Sequence, residues 1–240
     1  MPENYNHLHF KSVGSTNDLC RDECKKQLKP ILITADKQTA GRGRNQKKWE
    51  SPSGNISFSY GFFCKKPHNA LSLLAGLKTT IAVDKIFGKS VELKWPNDLI
   101  YKSNKVGGIL IESENFEDRF LTIVGIGLNL KVKPAEAHWG DLDEELDNEE
   151  KKLIFTKELA HQVAQLENFS DKNWTKDWLA KCIHIDKKIK IPANKEEFLF
   201  IGINENGDEI CEHVEFNLNL KKKGKNLFIN PKLINSIFTE

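Results

Sequence analysis

The chain lacks the cysteine and histidine spacings that define a structural metal site or a disulfide framework. Its five cysteines are scattered, and none forms a Cys-x-x-Cys pair. Cys20 and Cys24 are one helical turn apart, but no neighbouring His or Cys completes a tetrahedral set. The seven histidines contain no His-Glu-x-x-His motif. These absences argue against a disulfide-stabilised secreted domain, a zinc ribbon and a zinc hydrolase.

The chain also lacks a long apolar run and an excess of one charge. No stretch of about 18 apolar residues occurs, and the first residues, MPENYNHLHFKSVG, form neither a signal core nor an arginine-rich transit pattern. There are 36 Lys and Arg against 34 Asp and Glu, a net charge of +2. Nothing therefore directs the whole chain towards nucleic acid or membrane. We expect a cytoplasmic protein without membrane association, in which any positive patch is local.

The length of 240 residues allows one large core and one small additional module. Helical and strand patterns mix up to about residue 184, and short alternating strands follow from Lys187. We therefore predict a catalytic or binding domain over residues 1–184 and a small β domain over residues 185–240. The acidic run at 141–150 has no EF-hand spacing, so it predicts an exposed loop or helix start rather than a metal site.

Apolar periodicity and turn residues predict the individual elements. In the first part they are strands at 8–11, 30–36, 55–63, 91–95, 99–101, 105–112 and 120–131, and helices at 16–28, 70–87, 153–169 and 171–182. Ser15 or Thr16 is the expected N-cap of the first helix, and Gly88 closes the second. In the second part the predicted strands are 189–191, 197–203 and 209–216, with a turn at Asn206-Gly207 and a lysine-rich hairpin turn near residue 223.

A basic loop at residues 38–49, QTAGRGRNQKKW, shows no apolar periodicity of either kind. Gly41 and Gly43 relax its backbone, and arginines and lysines give it positive charge. The loop connects two predicted strands, so both of its ends are fixed. Such a loop can close over an anion and exclude water, and arginine pairs bidentately with carboxylate or phosphate. A solvated turn or an RNA-contacting segment is the alternative.

Glycines and small polar residues flank this loop in the sequence. Gly107 and Gly108 are adjacent in one predicted strand, whereas Gly125 and Gly127 are two apart in the next and therefore face the same side. Together they predict a flat surface on which a ligand can lie. The Ser15-Thr16-Asn17 segment at the first helix start either caps that helix or also holds a polar ligand head group.

The order of these motifs resembles that of the biotin protein ligases. Ser15-Thr16-Asn17, Gln38 with AGRGR, KWPND at 94–98, KVGGIL at 105–110 and GIGLN ending at Asn129 follow one another over about half of the chain. The resemblance implies an α+β fold, with a mixed sheet and flanking helices related to class II aminoacyl-tRNA synthetases, followed by a small SH3-like barrel. It also implies ATP-dependent formation of biotinyl-5′-AMP, and transfer of biotin to a lysine of the biotin carboxyl carrier protein of acetyl-CoA carboxylase.

The same resemblance assigns residues to the site. Biotin is expected to contact Ser15, Thr16, Asn17, Gln38, Gly41, Arg42, Lys105, Gly107, Gly108 and Gly125. ATP is expected to contact Arg42, Arg44, Trp49, Asn97, Lys105 and Asn129. Arg44, Lys105 and Asp98 are the expected catalytic residues. Arg44 and Lys105 would supply positive charge, which lowers the barrier between a carboxylate and a phosphate. Asp98 is also the expected partner of Mg²⁺ that accompanies ATP, or the base for the incoming amine.

Some features depart from the family or leave alternatives open. The motifs begin within about fifteen residues of the first residue, where bifunctional relatives have a helix-turn-helix module, so we do not expect DNA binding. A homodimer is one possible assembly, because family members often pair through a sheet edge. The rival functions are lipoate–protein ligation and non-catalytic binding of nucleotide or RNA.

Overall fold

The computed structural model describes residues 5–52, 54–131, 139–144, 149–190, 197–213 and 226–229, which form two sheets and four α-helices. The strands of the first sheet are β1 (Asn6–Phe10), β2 (Ile31–Ala35), β3 (Ile56–Cys64), β4 (Glu92–Lys94), β5 (Asp98–Tyr101), β6 (Asn104–Phe116) and β7 (Arg119–Leu128). Those of the second are β8 (Lys188–Lys190), β9 (Glu197–Ile203), β10 (Glu209–His213) and β11 (Asn226–Ile229). The helices are α1 (Thr16–Gln27), α2 (Leu71–Phe87), α3 (Glu149–Ala164) and α4 (Trp174–Leu179).

The larger sheet is mixed, in the order β1-β2-β3-β7-β6-β5-β4. β1 and β2 are parallel, while every other neighbouring pair in this sheet is antiparallel. The crossover between β1 and β2 is α1, as parallel pairing requires a long connection. The predicted fold class, a mixed sheet with flanking helices, is confirmed.

Alternating side chains of the strands contact different helices, because successive residues of a strand point to opposite faces. On one face Ile31, Ile33 and Ile123 pack with Cys20 and Cys24 of α1. On the other, the larger core joins β3 and β7 to α2 and α3; it includes Leu32, Phe58, Tyr60, Val124, Leu74 and Phe155. One helix therefore covers only part of the first face, and the remainder of that face is open to a cavity.

Two predicted helix ends, the start of α1 and the end of α2, agree with the structure. Ser15 is the N-cap of α1, and its hydroxyl oxygen accepts a hydrogen bond from the Asp18 amide at 3.4 Å. α2 ends at Gly88, which adopts φ 62° and donates its N–H to Asp84. A glycine is favoured here because a left-handed backbone costs a residue without Cβ very little.

Other boundaries differ from the prediction. β6 runs to Phe116 rather than 112, because its outer half joins β7 in a protruding hairpin whose polar, partly exposed residues carry no apolar pattern. β7 ends at Leu128 rather than 131. α3 begins at Glu149 and changes to a 3-10 turn after Ala164, and α4 covers only 174–179 of the predicted 171–182.

The smaller sheet has the order β11-β10-β9-β8 and is compatible with an SH3-like module. The predicted turn is present between β9 and β10, where Gly207 has φ 82°. Trp95, which is buried in the larger core, donates its indole N–H to the Gly207 carbonyl at 3.1 Å. The predicted strand residues 214–216 and lysine-rich residues 221–225 lie outside the described residues. Every helix in the described part of the chain is too short or too polar to cross a membrane.

Candidate active site

A cavity of about 300 Å³ lies on the face of the larger sheet that α1 leaves uncovered. The start of α1, the basic loop, the segment before β5 and the glycine-containing parts of β6 and β7 surround it. Its lining includes Ser15, Thr16, Asn17, Gln38, Arg42, Arg44, Trp49, Asn97, Asp98, Lys105, Gly108, Gly125, Gly127, Asn129 and Trp139. Residues that are far apart in the sequence thus meet in one pocket of ligand-binding size.

One end of the cavity is a neutral hydrogen-bonding network, which we call the polar end. The Gln38 side-chain oxygen accepts from both the backbone N–H and the hydroxyl of Thr16, at 2.9 and 3.0 Å. The buried Ser59 hydroxyl is 2.6 Å from the Asn17 amide oxygen and 2.8 Å from the Thr16 hydroxyl. This network presents donors and acceptors in fixed directions, as recognition of a neutral polar head group requires.

Glycines of β7 form the floor of the cavity. A Cβ at Gly125 would collide with the Asn17 side chain, and a Cβ at Gly127 would come within 2.5 Å of the Trp49 ring. The prediction that these two glycines share one face is therefore confirmed. Their absent side chains are what allow Asn17 and Trp49 to lie directly against the sheet.

The basic loop is folded on itself. Trp49 donates its backbone N–H to Gly41 at 2.9 Å, Gly43 donates to Lys47 at 2.7 Å, and a 3-10 turn covers Arg44–Gln46. A Cβ at Gly41 would lie 2.5 Å from the Trp49 carbonyl oxygen, so glycine is needed where the two sides of the loop meet. This short hairpin directs Arg42 and Arg44 to different partners.

Arg42 contacts carboxylates beside the polar end. Its guanidinium forms a bidentate pair with Asp18 at 2.5 and 2.7 Å and reaches Glu112 at 3.3 Å. Hydrogen bonds from Arg42 and a second pair with Arg21 lower the pKa of Asp18 to about 2. The contacts of Arg42 with Asp18, and to a smaller extent with Glu112, raise the pKa of its guanidinium. Both groups are therefore charged at every ordinary pH, and the carboxylates offset the positive charge of Arg42.

Arg44 and Lys105 lie at the opposite end of the cavity, which we call the cationic end. Arg44 donates to the Asn97 side-chain oxygen at 3.4 Å, and burial lowers the pKa of its guanidinium. The Lys105 ammonium is 2.6 Å from Asp98 and lies over the Trp49 ring, 5.9 Å from its centroid. Burial of the Arg44 guanidinium strengthens its field towards an anionic ligand, whereas the Lys105 side chain is 45% exposed.

Sequence reasoning missed a segment and several side chains of this site. The segment 139–144 approaches through backbone bonds, since Gly140 donates to the Lys105 carbonyl at 3.0 Å and its own carbonyl accepts from Asn129 at 3.1 Å. This places Trp139 in the cavity lining, although no local pattern marks that residue. Ser59 and Glu112 were also missed, because a serine in a strand and a glutamate in an alternating strand carry no distinctive signal.

The structure brings together most of the predicted site residues. Two do not line the cavity: Gly41 serves the pairing within the loop, and the absent side chain of Gly107 points towards Leu99 and Leu128. Gly107 is thus a packing position, whereas its neighbour Gly108 reaches the cavity. Within the described residues, no three His, Cys, Asp or Glu side chains are grouped to hold a metal ion.

The fold and this cavity define an α+β protein with a pocket of ligand-binding size that is neutral and polar at one end and cationic at the other. The comparison with known families agrees. Residues 9–129 match the model of the biotin/lipoate A/B protein ligase family, which is just over half of the chain. The chain belongs to this family, and within it the similarity is to biotin protein ligases.

Individual relatives extend this result. The bifunctional ligase/repressor BirA of Bacillus subtilis is 34% identical over 139 residues, which are 54% of this chain but 42% of that protein. The chain thus spans less than half of this relative. The biotin–[acetyl-CoA-carboxylase] ligase of Paracoccus denitrificans is 28% identical over 73% of this chain and 81% of its own. The Aquifex aeolicus biotin protein ligase, solved with biotin and ATP, superposes with a TM-score of 0.70 at 25% identity, covering 94% and 95% of the two chains.

Proposed function

We propose that this chain activates biotin with ATP and transfers it to a lysine of the biotin carboxyl carrier protein of acetyl-CoA carboxylase. The observation that carries the proposal is that one cavity joins a neutral hydrogen-bonding network to a pair of cations across a glycine floor. The names of the relatives and the ligands of the Aquifex structure support the same assignment. We assign this chemistry to residues 1–184 and treat residues 185–240 as the small accessory domain.

Biotin would enter with its ureido ring at the polar end and its carboxylate at the cationic end. Thr16, Asn17 and Gln38 provide both donors and acceptors for a ring that itself contains N–H and C=O groups. The glycine floor lets the ligand lie against the sheet. Since the network is already hydrogen-bonded internally, the head group meets preorganised partners and little ordering energy is lost.

In the first step the biotin carboxylate would attack the α-phosphorus of ATP. A carboxylate oxygen–phosphorus bond forms, and the bond to the pyrophosphate oxygen breaks. Two anions must approach each other, so positive charge between them lowers the barrier. Arg44 and Lys105 would supply that charge, and we assign Trp49 and Asn129, which line the same cavity, to the nucleotide.

Asp98 holds Lys105 in place through the 2.6 Å ion pair, and this is the role that the geometry supports best for it. Its carboxylate also suits a divalent cation held mainly by ATP phosphates, which is how Mg²⁺ usually binds. Such a cation would neutralise phosphate charge. Acceptance of a proton from the incoming lysine is a further prediction for Asp98.

In the second step the carrier lysine would attack the acyl carbon and release AMP. The mixed anhydride is prone to hydrolysis, so the site must exclude water until the amine arrives. Residues of the basic loop and Trp139 line the cavity, which supports a role for them in this exclusion.

The test is pyrophosphate exchange into ATP by the purified chain, with biotin or lipoate as the acid. We expect exchange with biotin and at least about 100-fold less with lipoate, because the polar end matches a cyclic urea whereas lipoate carries an apolar dithiolane. Mass spectrometry of an acetyl-CoA carboxylase carrier domain, incubated with chain, ATP and biotin, should then show addition of one biotinyl group. Equal exchange with lipoate, or none with either acid, would refute the proposal.

A further inference from the structure

Glu112 lies in the middle of β6, on the face of the sheet that carries the cavity, but it does not line the cavity. Its side chain is 27% exposed, so its charge is partly shielded from solvent. Across the sheet it is paired with Ile123 of β7. Its two carboxylate oxygens contact different groups around the cavity.

One oxygen of Glu112 fixes the Asn17 amide. The Asn17 side-chain nitrogen donates to Glu112 Oε2 at 2.8 Å, while the Asn17 oxygen is 2.6 Å from the Ser59 hydroxyl. A flipped amide would place its oxygen against the carboxylate, where two acceptors would face each other without a proton. The carboxylate therefore decides which end of Asn17 points to Ser59 and which hydrogen remains for a ligand.

Proton counting extends the effect to Thr16. Ser59 has one hydroxyl proton but lies within hydrogen-bonding distance of both Asn17 and Thr16. With Asn17 presenting its oxygen, Ser59 donates to Asn17, so the single Thr16 hydroxyl proton is shared between two acceptors, Ser59 at 2.8 Å and Gln38 at 3.0 Å. The charge on Glu112 thus sets the direction of the Asn17–Ser59 hydrogen bond, and it leaves Thr16 as the remaining hydroxyl donor of the polar end.

The other oxygen of Glu112 contacts the basic loop. Glu112 Oε1 accepts from Arg42 at 3.3 Å, and Arg21 bridges Glu112 and Asp18 at 2.9 and 2.8 Å. Asp18 in turn holds Arg42 through two short hydrogen bonds. Glu112 is therefore the group that touches both the Asn17 amide and the first arginine of the loop.

We propose that Glu112 is a positioning residue which sets the hydrogen-bonding direction of the polar end and anchors Arg42, so that head-group recognition and placement of the basic loop are coupled. The inference rests on the proposed function, because the head group in question is that of biotin. Glu112 touches no reacting atom in this scheme. Removal of the Glu112 carboxylate should weaken the binding of biotin and leave the cationic end, where the chemistry would occur, nearly intact.

Glu112→Gln tests the proposal, and Glu114→Gln is its matched control. Glu114 is two residues further along the same strand and contacts Arg21 at 3.8 Å and Lys25 at 2.8 Å, but in the described structure neither Asn17 nor Arg42. In biotin-dependent pyrophosphate exchange we expect Glu112→Gln to raise the biotin KM about 10-fold or more, with kcat and the ATP KM changed less than about 3-fold. Glu114→Gln should stay near the unaltered chain in all three values.

A second measurement does not depend on activity. Trypsin cleaves after arginine and lysine, so the rate of cleavage at Lys47 and Lys48 reports how firmly the loop is held. Glu112→Gln should accelerate that cleavage several-fold, and Glu114→Gln should not. Ser59→Ala, which removes only a hydroxyl, tests the other side of Asn17 if Glu112→Gln fails to fold; it should also raise the biotin KM.

The outcomes separate the two proposals. If Glu112→Gln matches Glu114→Gln in biotin KM and in loop cleavage, or if Ser59→Ala leaves the biotin KM unchanged, the positioning role is wrong. A fall in kcat together with a rise in the KM values of both biotin and ATP would equally overturn it, because that pattern indicates general disruption of the fold. If the unaltered chain shows no biotin-dependent exchange, the proposed function fails, while the cleavage comparison still decides whether Glu112 holds the loop.

Discussion

At the scale of single residues, the two arginines of the basic loop have different environments although they are two positions apart. Arg42 pairs with Asp18 and Glu112, whereas Arg44 reaches Asn97 at the cationic end. The charge of Arg42 is offset by two carboxylates, whereas Arg44 and Lys105 together face one carboxylate, Asp98, so the cationic end keeps a net positive charge. Arg44 and Lys105 are therefore the cations that we expect to act on the reacting groups.

Arg44→Ala and Lys105→Ala should each reduce biotin-dependent pyrophosphate exchange by about 100-fold or more, in kcat rather than in biotin KM. Loss of one preorganised group of this kind costs about 3–4 kcal/mol in the transition state. Lys102→Ala is the control, since Lys102 is an exposed lysine at the β5–β6 turn, outside the cavity lining. Near-normal exchange by both cation variants would contradict a catalytic role for Arg44 and Lys105.

Glu209 is the residue whose burial has the clearest consequence for stability. It is fully buried in β10, and within the described residues neither carboxylate oxygen has a hydrogen-bond partner. Desolvation raises its pKa to about 8. The folded chain therefore keeps this proton to higher pH than the unfolded chain, whose carboxyl ionises near its ordinary value of 4.5.

It follows that the free energy of unfolding should fall as pH rises from about 4.5 to about 8, and then level off. Glu209→Gln carries no titrating group and should abolish this component. The variant should match the unaltered chain near pH 4.5 and exceed it by about 3 kcal/mol near pH 7. Urea unfolding across this range measures the difference, with the exposed Glu212→Gln on the same strand as control. A difference that does not change with pH would show that Glu209 is ionised in the fold.

At the scale of secondary-structure elements, the position of α1 depends on a glycine in the opposing strand. A Cβ at Gly61 of β3 would lie 2.5 Å from the Cys24 sulfur and 2.9 Å from that of Cys20. Both cysteines are completely buried at this contact. The cysteine pair is thus a packing feature, and its spacing of one helical turn brings both sulfurs onto the same strand residue.

Gly61→Ala should lower the free energy of unfolding by about 1–3 kcal/mol, because the added methyl group overfills the contact between α1 and β3. The same substitution in a Cys24→Ala background should cost measurably less, since the nearest sulfur is then absent. Four urea unfolding curves give this coupling energy. Equal costs in the two backgrounds would mean that the sulfurs do not set the helix position.

The elements that local sequence predicts well are those with their own end signals. Ser15 and Gly88 mark the ends of α1 and α2, and both ends are predictable because capping and a left-handed glycine are local properties. The outer half of the β6–β7 hairpin is not predictable in this way. Many of its residues are partly exposed, so their pairing is decided by the partner strand and not by an apolar pattern.

At the scale of the whole molecule, the small sheet contacts the larger one close to the cationic end. Trp95 precedes Pro96 and Asn97 in the chain, and its indole bonds to Gly207 in the turn of the small sheet. Pro96 accepts a hydrogen bond from Ser72 of α2 at 3.1 Å. The segment that carries Asn97 and Asp98 is therefore held between a helix and the second sheet, which restricts where Arg44 and Lys105 find their partners.

The sequence by itself determined the mixed α+β architecture, the glycines that open the sheet surface, the basic loop and the resemblance to a ligase family. These depend on local periodicity, on turn chemistry and on the order of short motifs. Only the tertiary structure decided that Arg42 pairs with Asp18 and Glu112, while Arg44 lies at the cationic end. It also decided that Gly107 faces the core and that Trp139 lines the cavity. The reason is physical: each of these outcomes depends on which distant groups the strand register places within hydrogen-bonding distance, as with Asn17 and Glu112, which are 95 residues apart in the chain.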